Sequence, residues 1–192
     1  MEGLARGWKD DASTLPLLQD RARSDESWSV RSAAVQELAR GWKDDAATLP
    51  LLQDRARSDE NEYVRRAAME ELVRGWKGNA ATLPLLRDHA RSDENWYVRR
   101  TAVRGLSRGW GDDAATLPLL HDRAFSDESG SVREAALQEL SRGWGDDAAT
   151  LPLLQDRACS DESESVREAA KEELARGWKD DPAVQKFLSE LP

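Results

Sequence analysis

The sequence predicts an all-α solenoid built from stacked two-helix repeats, and three observations support that prediction. The dipeptide Gly-Trp recurs with a constant spacing of 34 residues. Each repeat contains two helical patterns, and no segment alternates with the period of two that is typical of a strand. A fixed period of this size marks a solenoid, in which each unit buries its apolar face only against its neighbours. The tryptophans of the dipeptide are Trp8, Trp42, Trp76, Trp110, Trp144 and Trp178.

We interpret residues 1–192 as a single repeat domain. Residues 1–5 read as the tail of a preceding unit, because residues 2–5 align with residues 36–39. The array therefore begins part-way through a unit, and we expect a chain that was cut from a longer one or built to order. A terminal half repeat occupies residues 176–192. The full repeats are 6–39, 40–73, 74–107, 108–141 and 142–175.

The first helix of each repeat is predicted from an acidic pair followed by an apolar pattern. Asp10 and Asp11 precede the run that begins at Ala12. Aspartate is a good N-cap, because its carboxylate accepts hydrogen bonds from the free amides of the first helical turn. Pro16 follows one turn later, where it either kinks the helix or marks a later start at Thr14. The copies of this proline are Pro50, Pro84, Pro118 and Pro152.

The second helix is predicted to begin after a capping residue and to end at a glycine. Gly41 and its copies are expected in the left-handed conformation just past the helix end. The tryptophan after each glycine is expected to fold back onto the helix and to belong to the core, given the area that an indole ring can bury. The predicted N-cap residues are Ser27, Asn61, Asn95, Ser129 and Ser163.

A second recurring pattern occupies the turn and the second helix, and in the first repeat it reads Asp25-x-x-x-x-Val30-Arg31-x-x-Ala34-x-x-x-Leu38. It is present in all five full repeats. Together with the proline of the first helix, it resembles HEAT and HEAT-like repeats. Tetratricopeptide repeats share the 34-residue period, but their Trp-x-x-Leu-Gly-x-x-Tyr opening is missing from this sequence.

The resemblance implies a right-handed superhelix in which second helices line a concave face and an Asp–Arg ladder joins adjacent units. Arrays of this type also accompany NACHT-type NTPases in bacteria, and the segment Arg-Gly-Trp-Lys-Asp-Asp is similar to theirs. The unit is shorter than the usual length of about 40 residues or more. The curvature of the superhelix is therefore left open.

The five copies differ mainly on the second helix. Eighteen of the 34 repeat positions are identical in all copies. The non-conservative differences, at repeat positions 23, 24, 27, 30, 31 and 34, fall within one arc of about 120° beside the fixed Val, Ala and Leu. On the first helix, Asp20 is kept in every copy and Arg21 changes only once, to His89. Neutral sequence drift on an exposed face is one explanation of these differences. However, the second helix varies while the first is nearly constant, and this favours a binding surface adjusted copy by copy or a designed library.

The varied arc carries aromatic and cationic residues in the first three repeats and acidic residues in the last two. Tryptophan, tyrosine and arginine dominate interface hot spots. The predicted partner is a protein or peptide whose acidic part lies near repeats 2 and 3. Trp28 and Trp96 have an alternative interpretation, in which their rings pack partly on the next unit and do not contact a partner. The predicted partner-binding residues are Trp28, Tyr63, Arg66, Trp96, Tyr97, Arg100, Arg104, Glu134 and Glu168.

Composition argues against several classes of protein. With 28 basic and 37 acidic residues the net charge is −9, which opposes binding to nucleic acid. The sequence contains no apolar run of about 18 residues, so we expect no membrane contact, and its start lacks the apolar core of a secretory signal. Cys159 is the only cysteine and fits a reducing compartment, so we expect a cytoplasmic location.

The sequence offers no candidate catalytic, cofactor-binding or metal-binding residue. His89 and His121 lack partners at metal-ligand spacing, and no general base accompanies Cys159. The glycines do not form a phosphate-binding loop. The Asp–Arg pairs recur in every repeat, which indicates a structural ladder, because a catalytic pair is needed only once. We therefore expect a protein that is not an enzyme and has no cofactor.

Three functions are left open. The leading interpretation is a non-catalytic scaffold that binds a protein or peptide on the varied face of its second helices. The first alternative is a designed or consensus array without a natural ligand. The second is an enzyme on a HEAT-like frame, of the bilin lyase or DNA glycosylase type, although the acidic surface opposes DNA. We expect a monomer or weak end-to-end association, because both ends expose faces that an internal unit buries.

Overall fold

The computed structural model describes residues 11–191 and contains, within that range, eleven helices and no strands. Trp8, Asp10 and the predicted tail at residues 1–5 lie outside it. The first helices of the repeats are α1 (Thr14–Ser24), α3 (Thr48–Ser58), α5 (Thr82–Ser92), α7 (Thr116–Ser126) and α9 (Thr150–Ser160). The second helices are α2 (Trp28–Gly41), α4 (Glu62–Gly75), α6 (Trp96–Trp110), α8 (Gly130–Gly143) and α10 (Glu164–Gly177), and α11 (Pro182–Glu190) follows them.

The chain divides into two compact units, Met1–Gly105 and Leu106–Pro192, and the division falls within α6. In the first unit, α1 packs against α2 and α3 packs against α4, while α2 lies beside α4. In the second unit, α7 packs against α8 and α9 against α10, while α8 lies beside α10 and α11 packs against α10. The predicted all-α solenoid of stacked helix pairs is confirmed.

The core is made of the apolar positions that are constant between copies. Leu18 and Ala22 of α1 and Ala34 and Leu38 of α2 have no exposed surface. The same four positions are buried in the later repeats. Burial of these side chains between stacked helix pairs supplies the main driving force for folding.

One position that the sequence placed on the varied surface lies instead in the core. Val35, Met69, Val103 and Leu137, at repeat position 30, have no exposed surface. The prediction is wrong there, because this position borders the fixed apolar stripe and carries an apolar residue in the first four repeats. Only the fifth repeat has a charged residue there, Lys171, which is half-buried.

The first helices begin at threonine, and in the first repeat this start at Thr14 is three residues after Asp11, the later of the two predicted capping residues. Asp11 accepts a hydrogen bond through Oδ1 from the backbone N–H of Ser13 at 2.8 Å, and its carbonyl accepts from the N–H of Thr14 at 3.0 Å. The aspartate therefore stabilises the turn that precedes the helix. Pro16 becomes the third helical residue, where its missing N–H removes no helical hydrogen bond. The later start at Thr14 is confirmed, and the predicted cap at Asp10-Asp11 is wrong.

The second helices begin after the predicted Ser or Asn, but only asparagine caps with its side chain. Asn61 Oδ1 accepts from the backbone N–H of Tyr63 at 3.0 Å, and Asn95 Oδ1 accepts from that of Tyr97 at 2.9 Å. Ser27 stands at the N-cap position of α2, and its hydroxyl makes no capping hydrogen bond.

The glycines at the ends of the second helices are helical. Gly75, Gly143 and Gly177 have no positive φ, so the predicted left-handed conformation is wrong for these residues. The helical hydrogen bonding continues through the glycine, since the N–H of Trp76 still donates to the carbonyl of Leu72 at 2.9 Å. The chain turns at the tryptophan instead, where φ is −132° and ψ is 35°.

The tryptophans that follow these glycines are half-buried, so the prediction that they belong to the core is wrong for the described ones, Trp42, Trp76, Trp110, Trp144 and Trp178. In the first unit, the Nζ of Lys43 lies 5.7 Å from the centroid of the Trp76 ring. In the second unit, the ring of Trp144 lies against Gly111. Each of these rings covers the residue that follows the tryptophan of the preceding repeat.

A buried arginine joins the turn of one repeat to the turn of the next, as Arg65 shows. Arg65 donates from Nε and Nη2 to Oδ2 and Oδ1 of Asp93 at 3.1 and 3.0 Å. Its Nη1 donates to the carbonyl oxygens of Asp59 and Glu60, at 2.8 and 3.2 Å, in its own repeat. The side chains of Arg65 and Asp93 are 7% and 4% exposed. A bidentate pair of this kind is stronger than a neutral hydrogen bond and fixes the relative orientation of its partners.

The same pair recurs between Arg31 and Asp59 in the first unit and between Arg133 and Asp161 in the second. The Asp–Arg ladder that the family resemblance implied is confirmed at these steps. Each ladder aspartate also organises its own turn: Asp59 Oδ1, for example, accepts from the backbone N–H of Asn61 at 3.0 Å.

Asp93 of the ladder is a stronger acid than an ordinary aspartate. Burial raises the pKa of Asp93, but hydrogen bonds from His89, Arg65 and the backbone of Asn95 lower it further, so the pKa falls from 3.8 to about 2. These hydrogen bonds favour the charged carboxylate.

We expect Arg65→Ala to lower the free energy of unfolding by about 3–5 kcal/mol, because Asp93 would keep a buried charge without its partner. Urea unfolding followed by circular dichroism measures the loss. Arg57→Ala removes an exposed arginine near the same turn and is the matched control, with an expected change below about 0.5 kcal/mol. A loss no larger than that of the control would contradict a stabilising ladder.

We expect the stability difference between the wild type and Asp93→Asn to depend on pH. Because the folded pKa of about 2 lies below the ordinary 3.8, the Asp93 carboxylate stabilises the fold above pH 3.8, and this contribution disappears as the pH falls through about 2. Urea unfolding over this pH range should show the difference shrinking by on the order of 2 kcal/mol. A difference that stays constant down to pH 2 would exclude this contribution.

Candidate partner-binding surface

Three second helices of the first unit present aromatic rings from their first turns. The ring of Trp28 on α2 stacks on that of Tyr63 on α4, with centroids 4.8 Å apart and planes at 27°. Tyr63 meets Tyr97 of α6 edge-on at 6.1 Å, and Trp96 lies 5.5 Å from Tyr97. These separations lie within the range of about 4.5–7 Å in which aromatic pairs attract each other. The four rings form one continuous row across three repeats.

Two arginines lie over this row, each one helical turn after a tyrosine. The Cζ of Arg100 is 4.8 Å from the ring centroid of Tyr97 and 5.1 Å from that of Trp96. The Cζ of Arg66 is 5.1 Å from the centroid of Tyr97. All three distances permit cation–π attraction, which extends to about 6 Å. We call Trp28, Tyr63, Arg66, Trp96, Tyr97 and Arg100 the aromatic–arginine surface.

The two arginines differ in how their charge is balanced. Arg66 Nη1 donates to Oε1 of Glu70 at 3.0 Å, and its Nε is buried without a hydrogen-bond partner. Arg100 contacts the two rings but has no carboxylate partner among the residues that the structure describes. A guanidinium that stacks on a ring keeps its N–H donors in its own plane, where they can meet a carboxylate.

The tryptophans and Tyr63 keep much of their surface in contact with solvent. Trp28 is 45% exposed, Tyr63 40% and Trp96 42%. The alternative of partial packing on the next unit holds for Trp28, because its ring stacks on Tyr63 of the following repeat. Arg104, one turn beyond Arg100 on α6, is half-buried.

The acidic residues of the prediction belong to the second unit. Glu134 of α8 is half-buried and accepts a hydrogen bond from Gln138 Nε2 at 3.3 Å. Glu168 of α10 is 58% exposed and pairs with Lys171 Nζ at 3.0 Å. Within this unit, the exposed carboxylates of Glu164 and Glu172 also lie on α10.

Two features were missed by reasoning from the sequence. Phe125 is 60% exposed, and the Cζ of Arg157 lies 4.7 Å from its ring centroid. His89 lines a cleft with a volume of about 570 Å³ beside the ladder pair of Arg65 and Asp93. In both cases the available signal was the replacement of an arginine that most copies keep at that repeat position.

Within residues 11–191, no three His, Cys, Asp or Glu side chains are arranged to hold a metal ion. None of the helices in that range is both long and apolar enough to cross a lipid bilayer. Cys159 is exposed and has a free thiol.

Comparisons with known proteins agree with the geometry. A family model described as HEAT repeats matches residues 2–73, 83–175 and 117–191. The X-ray structure of YibA from Escherichia coli is similar, with a TM-score of 0.67 and 22% sequence identity over 94% of this chain. The match covers 65% of YibA, so this chain spans just under two thirds of that protein. No curated protein matches the sequence.

HEAT repeats typically serve as scaffolds for protein interactions and are generally non-catalytic. The likeness to YibA, at 22% identity, concerns the fold alone. The family matches extend over nearly the whole length and coincide with the repeated helix pairs and the Asp–Arg ladder. This protein belongs to the HEAT-repeat family.

Proposed function

We propose that this protein is a non-catalytic scaffold that binds an acidic segment of a partner protein on the aromatic–arginine surface. The observation that carries the proposal is the continuous row of Trp28, Tyr63 and Tyr97 rings, with Arg66 and Arg100 stacked on it. Membership of the HEAT-repeat family supports the general role, since these repeats typically mediate protein interactions.

The residue types favour a protein partner. Tryptophan, tyrosine and arginine account for a large share of the binding energy at protein interfaces, because they offer rigid apolar area and forked hydrogen bonding. Trp28, Tyr63 and Trp96 leave such area in water on neighbouring helices. A partner that covered them would bury a contiguous apolar strip.

The charge favours an acidic partner. Arg100 has no carboxylate partner in the described part of the chain, and Arg66 carries a buried Nε without an acceptor. Arginine binds carboxylate in a bidentate manner, and this bond strengthens where a partner excludes water. The best fit is a segment in which aspartate or glutamate alternates with apolar residues, the first pairing with arginine and the second contacting the rings.

Arg104, Glu134 and Glu168 are proposed as further contacts. Arg104 continues the cationic side of α6. Glu134 and Glu168 give the second unit an acidic surface, which suits a basic part of the partner.

We expect a displayed library of short random peptides, selected on the wild type, to become enriched in acidic residues next to apolar ones. Tyr97→Ala combined with Arg100→Ala should weaken the enriched peptides at least about 30-fold, because it removes both the ring and the charge at the centre of the row. Fluorescence anisotropy measures the dissociation constants. Thermal melting by circular dichroism should show a cooperative transition at a somewhat lower temperature than in the wild type, because both side chains are half-buried and Tyr97 contacts the rings of Tyr63 and Trp96.

The matched control is Phe125→Ala combined with Arg157→Ala, which removes another ring and its stacked arginine from the second unit. Affinity should stay within about threefold of the wild type in this variant. Equal binding by the wild type and the Tyr97/Arg100 variant would reject the proposed surface. A selection without any enriched peptide would favour the alternative of an array that has no ligand.

A further inference from the structure

The third repeat contains a wider cleft than its counterparts in two other repeats. His89 lines this cleft, of about 570 Å³, and stands where the other full repeats have arginine. The corresponding clefts lined by Arg55 and Arg157 have volumes of about 350 and about 340 Å³. The wider cleft extends to Leu85 and Asp88, whose counterparts do not line the narrower ones.

The narrower clefts show which groups surround the guanidinium of the chain's own arginine. Arg55 Nη2 donates to the carboxylate of Asp54 at 2.6 Å. Its Nη1 donates to Oδ2 of Asp59 at 3.3 Å and to the carbonyl oxygen of Arg23 at 3.2 Å. Two carboxylates and one carbonyl therefore surround the planar cation, and Arg157 forms the matching carboxylate pairs in the fifth repeat.

Histidine replaces only one of these contacts. Its Nδ1 lies 2.9 Å from Oδ2 of Asp93, the counterpart of Asp59. The carboxylate of Asp88, the counterpart of Asp54, has no hydrogen-bond or ion-pair partner among the described residues. Arg57, whose carbonyl corresponds to that of Arg23, also lines the cleft. The acceptors for a guanidinium are thus kept, while the guanidinium itself is missing.

One carboxylate of the lining is left for a cation. Arg31 already pairs with Asp59 and Glu60, and Arg65 already pairs with Asp93 and Glu94. The exposed carboxylate of Asp88 is the one that keeps its charge without a partner among the described residues.

We infer that this cleft binds the guanidinium group of an arginine side chain from a partner protein, in the position that Arg55 and Arg157 fill in their own repeats. Asp88 and the carbonyl of Arg57 accept its hydrogen bonds, and Leu85 contacts its aliphatic stem. The site shares no residue with the aromatic–arginine surface, so it stands or falls independently of the proposed function.

The two histidines of the chain allow a direct test by nuclear magnetic resonance of ring-labelled histidine. An acetylated and amidated Gly-Arg-Gly peptide should shift the His89 ring signals in a saturable manner, with a dissociation constant of about 10–100 mM, because solvent-accessible ion pairs are weak. His121, in the second unit, is the internal reference and should not respond. The corresponding Gly-Lys-Gly peptide, at equal ionic strength, should bind at least about fivefold more weakly, because an ammonium lacks the planar fork.

Variants locate the site. Asp88→Asn should weaken binding of the peptide about threefold to fivefold, because it removes the exposed, unpaired carboxylate. Asp54→Asn changes the counterpart in the neighbouring repeat and should leave the His89 response unchanged. Arg55→His should open a second cleft, and the new histidine signal should respond to the peptide as well.

Three results would overturn the inference: a His89 signal without a saturable shift, equal binding of the lysine peptide, or an unchanged affinity in Asp88→Asn. Methylguanidinium tests whether the cleft binds a free guanidinium compound or the guanidinium group of an arginine side chain. A shift with methylguanidinium but none with the peptide would overturn the assignment to an arginine side chain, whereas a response to both would support it.

Discussion

The structure depends on one buried ion pair, the bidentate contact from an arginine on a second helix to the aspartate in the next turn. Arg65 divides its donors between Asp93 of the following repeat and two carbonyls of its own turn. A single side chain thus closes one repeat and orients the next. Exposed ion pairs contribute about 0–1 kcal/mol, but a buried pair that loses one partner leaves a charge without compensation. The aspartate and the arginine of this pair are identical in all five full repeats.

A fixed stacking register explains how residues far apart in the sequence form one surface. Trp28, Tyr63 and Tyr97 come from three repeats, and each occupies one of the first two positions of a second helix. Because the ladder sets the spacing of the helices, neighbouring first turns meet at ring-contact distance. Side chains at these positions can change from copy to copy without disturbing the leucine and alanine core.

Most of the fold could be predicted from the repetition in the sequence, because each helical pattern occurs in five full repeats. The Asp–Arg ladder could be predicted from the family resemblance, and the buried Val, Ala and Leu positions from helical periodicity. The predictions for the glycines and tryptophans at the helix ends are wrong for a physical reason. Glycine often ends a helix in the left-handed conformation and tryptophan is often buried in the core, but both are only tendencies. Here the helix continues through Gly75, and the ring of Trp76 is half-buried at the edge.

The candidate surface could be predicted as a set of residues but not as a set of contacts. The helical arc placed Tyr63 and Tyr97 together, whereas the stacking of Arg66 and Arg100 on the rings needs side-chain positions. The cleft at His89 was missed because a single changed residue has no pattern of its own. The replacement of arginine by His89 can be interpreted only from the contacts that Arg55 makes at the same repeat position.

The asparagines that cap α4 and α6, Asn61 and Asn95, have a further consequence. Their side-chain oxygens accept the backbone N–H groups of Tyr63 and Tyr97, whereas the serine that begins α2 makes no such bond. The two tyrosines therefore start from a pinned backbone, and their rings are further restrained by each other and by the arginines. Association usually costs about 0.5–1.5 kcal/mol for each flexible side chain that becomes immobilised. A partner at the proposed surface would meet side chains that are already largely ordered, so the entropy of its association would be set mainly by the freedom that the partner loses.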